Sequence, residues 1–272
     1  MSGGIALVLY QSGVAHELLR LSRYNKLGAG SIYARVVEQT GIHPVLDIVT
    51  GASAGAINCV MLGHSLVAGT DYRAFHDIWI NNADVSKMWW PDNTPMEKVK
   101  SILFRDNLVG SVSNEINAQI SSLNGQLPTD SPHDDDLKVF CCRTDLNGVK
   151  ISAQDSLGHN MDDMTRNSVA SFNASDFGTS KTLNSLIEAG VASSSFPGAF
   201  PPTFDDAIKH WYCDGGLRDH LCTCHCRDRL WTLRILCPGR METIRKGSNM
   251  KSGHTIKIFE ARKRFFDSKL SI

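Results

Sequence analysis

The chain has 272 residues, enough for one α/β domain with some chain to spare, and its 42% hydrophobic and 21% charged residues are ordinary for a globular protein with its own core. Lys+Arg (28) balance Asp+Glu (28), so net charge favours no class of partner and gives no reason to expect nucleic acid. No apolar run approaches the ~18 residues of a membrane span and no basic segment opens the chain as in a secretory signal, so a cytoplasmic location with at most peripheral membrane contact is expected.

Taken in chain order, "SGGIALVLYQSGVAHELLRLSRYN" opens on paired glycines and carries Ile5, Val8, Leu9, Val14, Leu18 and Leu19 at helical spacing. "PVLDIVTG" is a short strand, apolar on both parities, as in a strand covered on both faces. "AGAINCVMLGHSLVAG" is the helix after it, ending near Gly69. From Asp71 to about Asn107 the pattern is mostly helical around Trp79, broken by the turn "WWPDNTP", and a further helix is expected over Val112–Leu123. "NGQLPTDSPHDDD" is a loop by composition. "LKVFCCRTDL" and "GVKISAQD" read as two strands joined through Asn147-Gly148, a hairpin signal. "TLNSLIEAGVASSSF" is a helix, "PGAFPP" is irregular because of its prolines, and "HWYCDGG" is a last strand ending at Asp214-Gly215-Gly216. Strands alternating with helices indicate an α/β fold with a largely parallel sheet.

Cysteine usage fits a reducing compartment. Cys59, Cys141 and Cys142 lie in apolar or strand-like contexts and read as reduced core residues, while five more lie between Cys213 and Cys237. Cys222, Cys224 and Cys226 beside His220 and His225 lack the usual C-x2-C spacing of a zinc knuckle, so no metal site is expected. From Leu217 to Ile272, 13 Lys+Arg face 5 Asp+Glu, a net of +8 that leaves −8 on the rest. Such a charge run usually marks a solvated end, and less often a surface for anionic lipid.

The chemistry centres on Gly51-Ala52-Ser53-Ala54-Gly55, a G-x-S-x-G between strand and helix. A serine hydroxyl is a weak nucleophile until a base takes its proton and donors hold the oxyanion. A strand-to-helix turn lifts the hydroxyl clear of the sheet and aims free N–H groups of the helix start at the developing charge. Backbones pass close in such a turn, so small flanking residues are required, and Gly51, Ala52, Ala54 and Gly55 supply them. For the base, Asp214 followed by His220, His225 or His254 satisfies the Ser…Asp…His order of a triad, whereas Asp214 alone, at a strand end before two glycines, is better placed to approach Ser53. Gly3-Gly4 at a helix start offers unhindered N–H groups that, with Ala54 N–H, would complete an oxyanion hole.

Together Ser2-Gly3-Gly4-Ile5, Gly51-Ala52-Ser53-Ala54-Gly55 and Asp214-Gly215-Gly216 resemble, in order, the three motifs of the patatin-like phospholipase family, and "GVAHELLRL", "RTDLNGV" and "ASSSFPGAFPP" support the likeness. Gly3, Gly4, Leu7 and Tyr10 match the G-G-x-x-L-x-x-Y form of its bacterial-type branch. The resemblance implies a three-layer α/β/α fold with a mostly parallel central sheet, and a lipid acyl hydrolase (phospholipase A type) acting through a Ser53–Asp214 dyad without histidine. Gly3, Gly4, Ile5 and Ala54 would form its oxyanion hole, Gly51, Gly55, Gly215 and Gly216 would shape the turns, and neither calcium nor another cofactor would be needed. Two departures set further expectations. Only Met1 and Ser2 precede the glycines, so the first strand of the sheet is expected to be missing, and after Gly216 the sequence leaves the pattern, so residues 1–216 are read as the hydrolase domain and 217–272 as an atypical basic, Cys-rich tail of a truncated or frame-altered chain. The rival readings are a degenerate, non-catalytic domain kept as a binding module, and a general esterase or thioesterase using the same serine.

Overall fold

The computed structural model describes residues 1, 4–82, 84–123, 137–154, 158–177, 180–218, 234–237 and 240–243. Six helices and seven strands appear among them: α1 (Ile5–Ser22), α2 (Ile32–Thr40), β1 (Ile48–Ala52), α3 (Ala54–Ala68), α4 (Arg73–Asn82), α5 (Asp106–Ser122), β2 (Lys138–Gln154), β3 (Asn160–Asn173), α6 (Ser180–Ser193), β4 (Thr203–Asp205), β5 (His210–Asp214), β6 (Arg234–Cys237) and β7 (Arg240–Thr243). The α/β class is as expected. One core gathers Val8 and Leu19 of α1, the apolar residues of the buried α3 from Ala54 to Val67, Phe75 and Trp79 of α4, Val112 and Ile116 of α5, Leu183 and Leu186 of α6, and Val49, Val139 and Cys141 of the sheet. Ala52, Phe140, Cys142 and Val169 form a separate small cluster.

The main sheet has the order β1-β2-β5-β4, with β3 also on β2, and β6 pairs with β7 in a hairpin of their own. Only β1 and β2 run parallel; β2–β3, β2–β5 and β4–β5 are antiparallel. The expectation of a largely parallel sheet is corrected to a mixed one, and connectivity explains why. A parallel pair needs a long crossover, which α3 to α5 supply between β1 and β2, whereas β2–β3 and β4–β5 follow one another through short links that reverse the chain.

Asn147-Gly148 does not turn a hairpin. The two expected strands form a single β2 whose pairing with β3 shifts register between Thr144 and Val149. Asp145 Oδ1 accepts the N–H groups of Asn147 (2.9 Å) and Gly148 (3.0 Å), so the Asn-Gly pair is spent on a bulge and the chain runs on in the same direction. Helix content in 71–107 is also smaller than the sequence pattern suggested: α4 stops at Asn82, and two short 3-10 turns, Val85–Met88 and Met96–Lys98, follow it before α5. The loop expected over 124–136 lies outside the described residues, as does most of the tail after Arg218.

β1 lies at one edge of the sheet. Along that edge the Met1 amino group donates to Thr50 O (2.5 Å) and Met1 O accepts from Ala52 N (3.1 Å), which brings the chain start alongside the end of β1. Cys59, Cys141 and Cys213 are buried free thiols. Cys142 takes part in a disulfide, contrary to the expected thiol, and its partner is not among the residues whose side chains are described.

Candidate active site

The turn from β1 into α3 is a single residue, Ser53, with φ 56 and ψ −135. Apart from Lys209 it is the only non-glycine residue with positive φ among those described. A backbone held there costs on the order of 1–3 kcal/mol and persists only where the surroundings over-determine it. Part of that determination is steric. A Cβ on Gly51 would fall 2.3 Å from Gly55 O and 2.6 Å from Cys59 Sγ, so the strand end and the first turn of α3 can close on each other only without a side chain there. Ala54 and Gly55 then open α3 with N–H groups that have no partner within their own helix.

Asp214 ends β5 and is 2% exposed. Its Oδ1 accepts the Gly216 N–H at 2.7 Å, and Thr144 Oγ1 donates to its backbone carbonyl at 2.8 Å. The glycine after it is required by contact: a Cβ on Gly215 would fall 2.0 Å from Cys142 O. The ladder sets Ser53 and Asp214 level. β3 covers one edge of β2 along Lys138–Thr144, so β1 and β5 share the other, with Ala52 opposite Cys142 and Asp214 opposite the next residue, Arg143. Ser53 follows Ala52, so Ser53 and Asp214 lie beside each other where the ends of β1 and β5 converge on that edge.

Of the expected oxyanion residues, Gly3 lies outside the described residues. Gly4 is the N-cap of α1 with φ 119, and Ile5 is the first residue of that helix. Because Met1 pairs with Thr50 and Ala52, α1 begins at the same sheet edge as α3, and the Asn58 side chain ties the two helices by donating to Val8 O (3.3 Å). Two helix N-termini, the ends that favour negative charge, thus open beside the end of β1. His220, His225 and His254 lie outside the described residues.

Residues that the sequence pattern did not single out bind this arrangement together. Ser193, the last residue of α6, accepts the Ser53 N–H on its hydroxyl (2.9 Å) and donates to Cys142 O (2.5 Å). Two residues on, Ser195 O accepts the Asp214 N–H (3.0 Å). Arg105, at the start of α5, holds that segment from outside. Its Nη1 donates to Ser195 Oγ (2.7 Å) and its Nη2 reaches Thr203 Oγ1 (3.3 Å), while the guanidinium lies 5.5 Å from the Phe200 ring centroid. Burial lowers the Arg105 pKa to about 10, which leaves it charged at neutral pH. The segment was readable as "ASSSFPGAFPP", but nothing in a run of three serines says which one reaches the nucleophile.

Two residues before Asp214 on β5, Tyr212 carries the Arg143 guanidinium over its ring at 3.8 Å, and Arg143 also pairs with Asp205 at 3.6 Å. His210 Nδ1 meets Asp145 Oδ2 at 2.7 Å. Burial pushes the Asp145 carboxyl up, but the His210 ring and the N–H groups of Gly148 and Asn147 outweigh it and hold the group below its ordinary value. These contacts pin β5 to the β2 bulge and so fix the strand that ends at Asp214. Among the described residues there is no group of three or more potential metal ligands, and no helix is long and apolar enough to cross a membrane.

Residues 1–221 match the family model described as patatin-like phospholipase. The chain is 24% identical over 265 residues to an uncharacterized membrane protein, Rv3479, of Mycobacterium tuberculosis, with 81% of this chain and 24% of that protein covered. It therefore spans about a quarter of that relative's length. No solved structure matches.

Proposed function

We propose that this chain, which belongs to the patatin-like phospholipase family, is a serine acyl hydrolase that cleaves ester bonds of lipids with Ser53 as nucleophile and Asp214 as its base. The observation that carries the reading is Ser53 itself, held at φ 56 between β1 and the buried α3, beside Asp214 where β1 and β5 converge on one edge of β2. The Ser53 hydroxyl attacks the ester carbonyl and Asp214 takes its proton. The tetrahedral oxyanion is held by the N–H of Ala54 and those of the glycine segment at Gly3, Gly4 and Ile5. Collapse of that intermediate expels the alcohol, which leaves with the proton from Asp214. Water, giving a proton to Asp214, then attacks the acyl-enzyme, and Asp214 passes that proton to Ser53 Oγ as the acid leaves. Because helix N-termini supply the positive charge, no metal enters the reaction.

Lipid as the substrate class is supported by the family and by the apolar residues beside the site. Phe196 (53% exposed) follows Ser195, and Leu217 (48% exposed) follows Gly216, so each adjoins a residue that positions Asp214 or its turn. A peripheral approach to a membrane surface, helped by the +8 segment from Leu217 to Ile272, follows from the same reading.

The test is hydrolysis of phospholipid vesicles, a short p-nitrophenyl ester and an acyl thioester, with and without a calcium chelator. Ser53→Ala and Asp214→Asn are each expected to lower the rate by about 10³-fold or more, chelation to leave it unchanged, and variants of His220, His225 and His254 to stay within about twofold. Near-complete loss on one histidine change would replace the dyad with a triad. Preference for the thioester over both esters would move the substrate class.

A further inference from the structure

We propose that Ser193 is the positioning residue of the nucleophile: its hydroxyl holds the Ser53 backbone in the reactive turn, and the segment it opens locks Ser53 and Asp214 into one frame. The inference rests on the reading of Ser53 and Asp214 as the hydrolytic pair, and adds to it a residue that touches neither the substrate nor the reacting atoms.

A residue turning from strand to helix at positive φ loses its place in both hydrogen-bond patterns. The register of β1 on β2 ends at Ala52–Cys142, and α3 begins at Ala54, so the Ser53 N–H belongs to neither. It donates instead to Ser193 Oγ at 2.9 Å. A hydroxyl has one proton to give, and Ser193 gives it to Cys142 O at 2.5 Å, so the direction of both bonds is fixed. Ser193 is fully buried, which shields the pair from competing water. With its own N–H engaged in this way, Ser53 leaves the oxyanion to the next residue, Ala54.

The Cys142 carbonyl is the shared anchor. It accepts from Ser193, and it is also the atom that a Cβ on Gly215 would strike at 2.0 Å, so the Asp214-Gly215 turn rests against it. Ser195 closes the frame by accepting the Asp214 N–H at 3.0 Å, and Arg105 fixes Ser195 through its hydroxyl at 2.7 Å. A shift of the α6 end therefore moves nucleophile and base together. Misplacement by about 1 Å can cost on the order of 100-fold in rate.

The experiment uses the full chain and two readouts: steady-state hydrolysis of p-nitrophenyl butyrate, and NMR amide hydrogen exchange at Ser53. Ser193→Ala is expected to lower kcat by about 10–100-fold with KM within about twofold, and to speed exchange of the Ser53 N–H by about tenfold or more. Ser193→Thr, which keeps the hydroxyl, is expected to restore both. If Ser193→Ala does not fold, the wild-type exchange and the threonine variant carry the test, and an unprotected Ser53 N–H in the wild type overturns the proposal. A folded Ser193→Ala with wild-type kcat overturns it as well, in an enzyme that is still active. An inactive wild type removes the hydrolase reading itself, and with it the catalytic meaning of Ser193.

Discussion

At Gly51 and Gly215 a single methyl group decides whether the site can close. Each would place a Cβ against backbone, 2.3 Å from Gly55 O in one case and 2.0 Å from Cys142 O in the other, where no rotamer change can relieve it. Gly51→Ala and Gly215→Ala are therefore each expected to cost about 1–3 kcal/mol of stability and to lower ester hydrolysis at least tenfold, read by urea denaturation beside kinetics. These glycines were legible in the sequence because they flank Ser53 and Asp214 within short motifs. Arg105 and Ser193 were not, because their importance comes from partners 90 and 140 residues away in the chain. Local pattern carries no information about such pairs.

Among the elements, α3 is the most constrained. Every residue from Ala54 to Ala68 is buried, which its small and apolar composition foretold. Its one central amide, Asn58, is not an anomaly in that setting. Its Oδ1 accepts Trp79 Nε1 (2.6 Å) and Tyr72 OH (3.1 Å), and its Nδ2 donates to Val8 O (3.3 Å), so α1, α4 and the turn before α4 are all tied to the helix that follows the nucleophile. Asn58→Leu would orphan two buried donors, and a loss of about 3 kcal/mol in unfolding free energy is expected. A loss below about 0.5 kcal/mol would mean that the network does not hold α1 and α4 to α3. The sheet was less readable. β3 (Asn160–Asn173) is rich in Asp, Asn and Ser and lacks an alternating apolar face, so no strand was expected there. The Asn147-Gly148 signal was real as a local turn, but the Asp145 carboxylate used it for a bulge.

For the whole molecule, pH reports on the core through His64. Burial lowers its pKa to about 4, and a hydrogen bond with Gln119 offsets only part of that effect. As pH falls below the ordinary value of 6.5, the unfolded chain takes up a proton that the folded chain refuses until about pH 4. Stability tied to this group is therefore complete above pH 6.5 and is lost between 6.5 and 4, by about 3 kcal/mol at about 1.4 kcal/mol per pH unit. The difference in urea midpoint between pH 7.5 and pH 5 should shrink in His64→Leu; an unchanged difference would place the acid sensitivity elsewhere. The family, the class of fold and the order of motifs were all legible before any coordinates, because three short motifs in sequence specify where a strand must end, a helix begin and a carboxylate return. What the sequence did not show is that the returning strand, β5, lies antiparallel to β2 on the edge that β1 also uses, which brings Asp214 beside Ser53. The most direct measurement of the account is covalent labelling of the folded full chain by a fluorophosphonate, read by peptide mass spectrometry with an authentic serine hydrolase labelled alongside. One adduct on Ser53 is expected, absent in Ser53→Ala and slowed at least 100-fold in Asp214→Asn. A folded chain left unlabelled at Ser53 while the control is modified would contradict it.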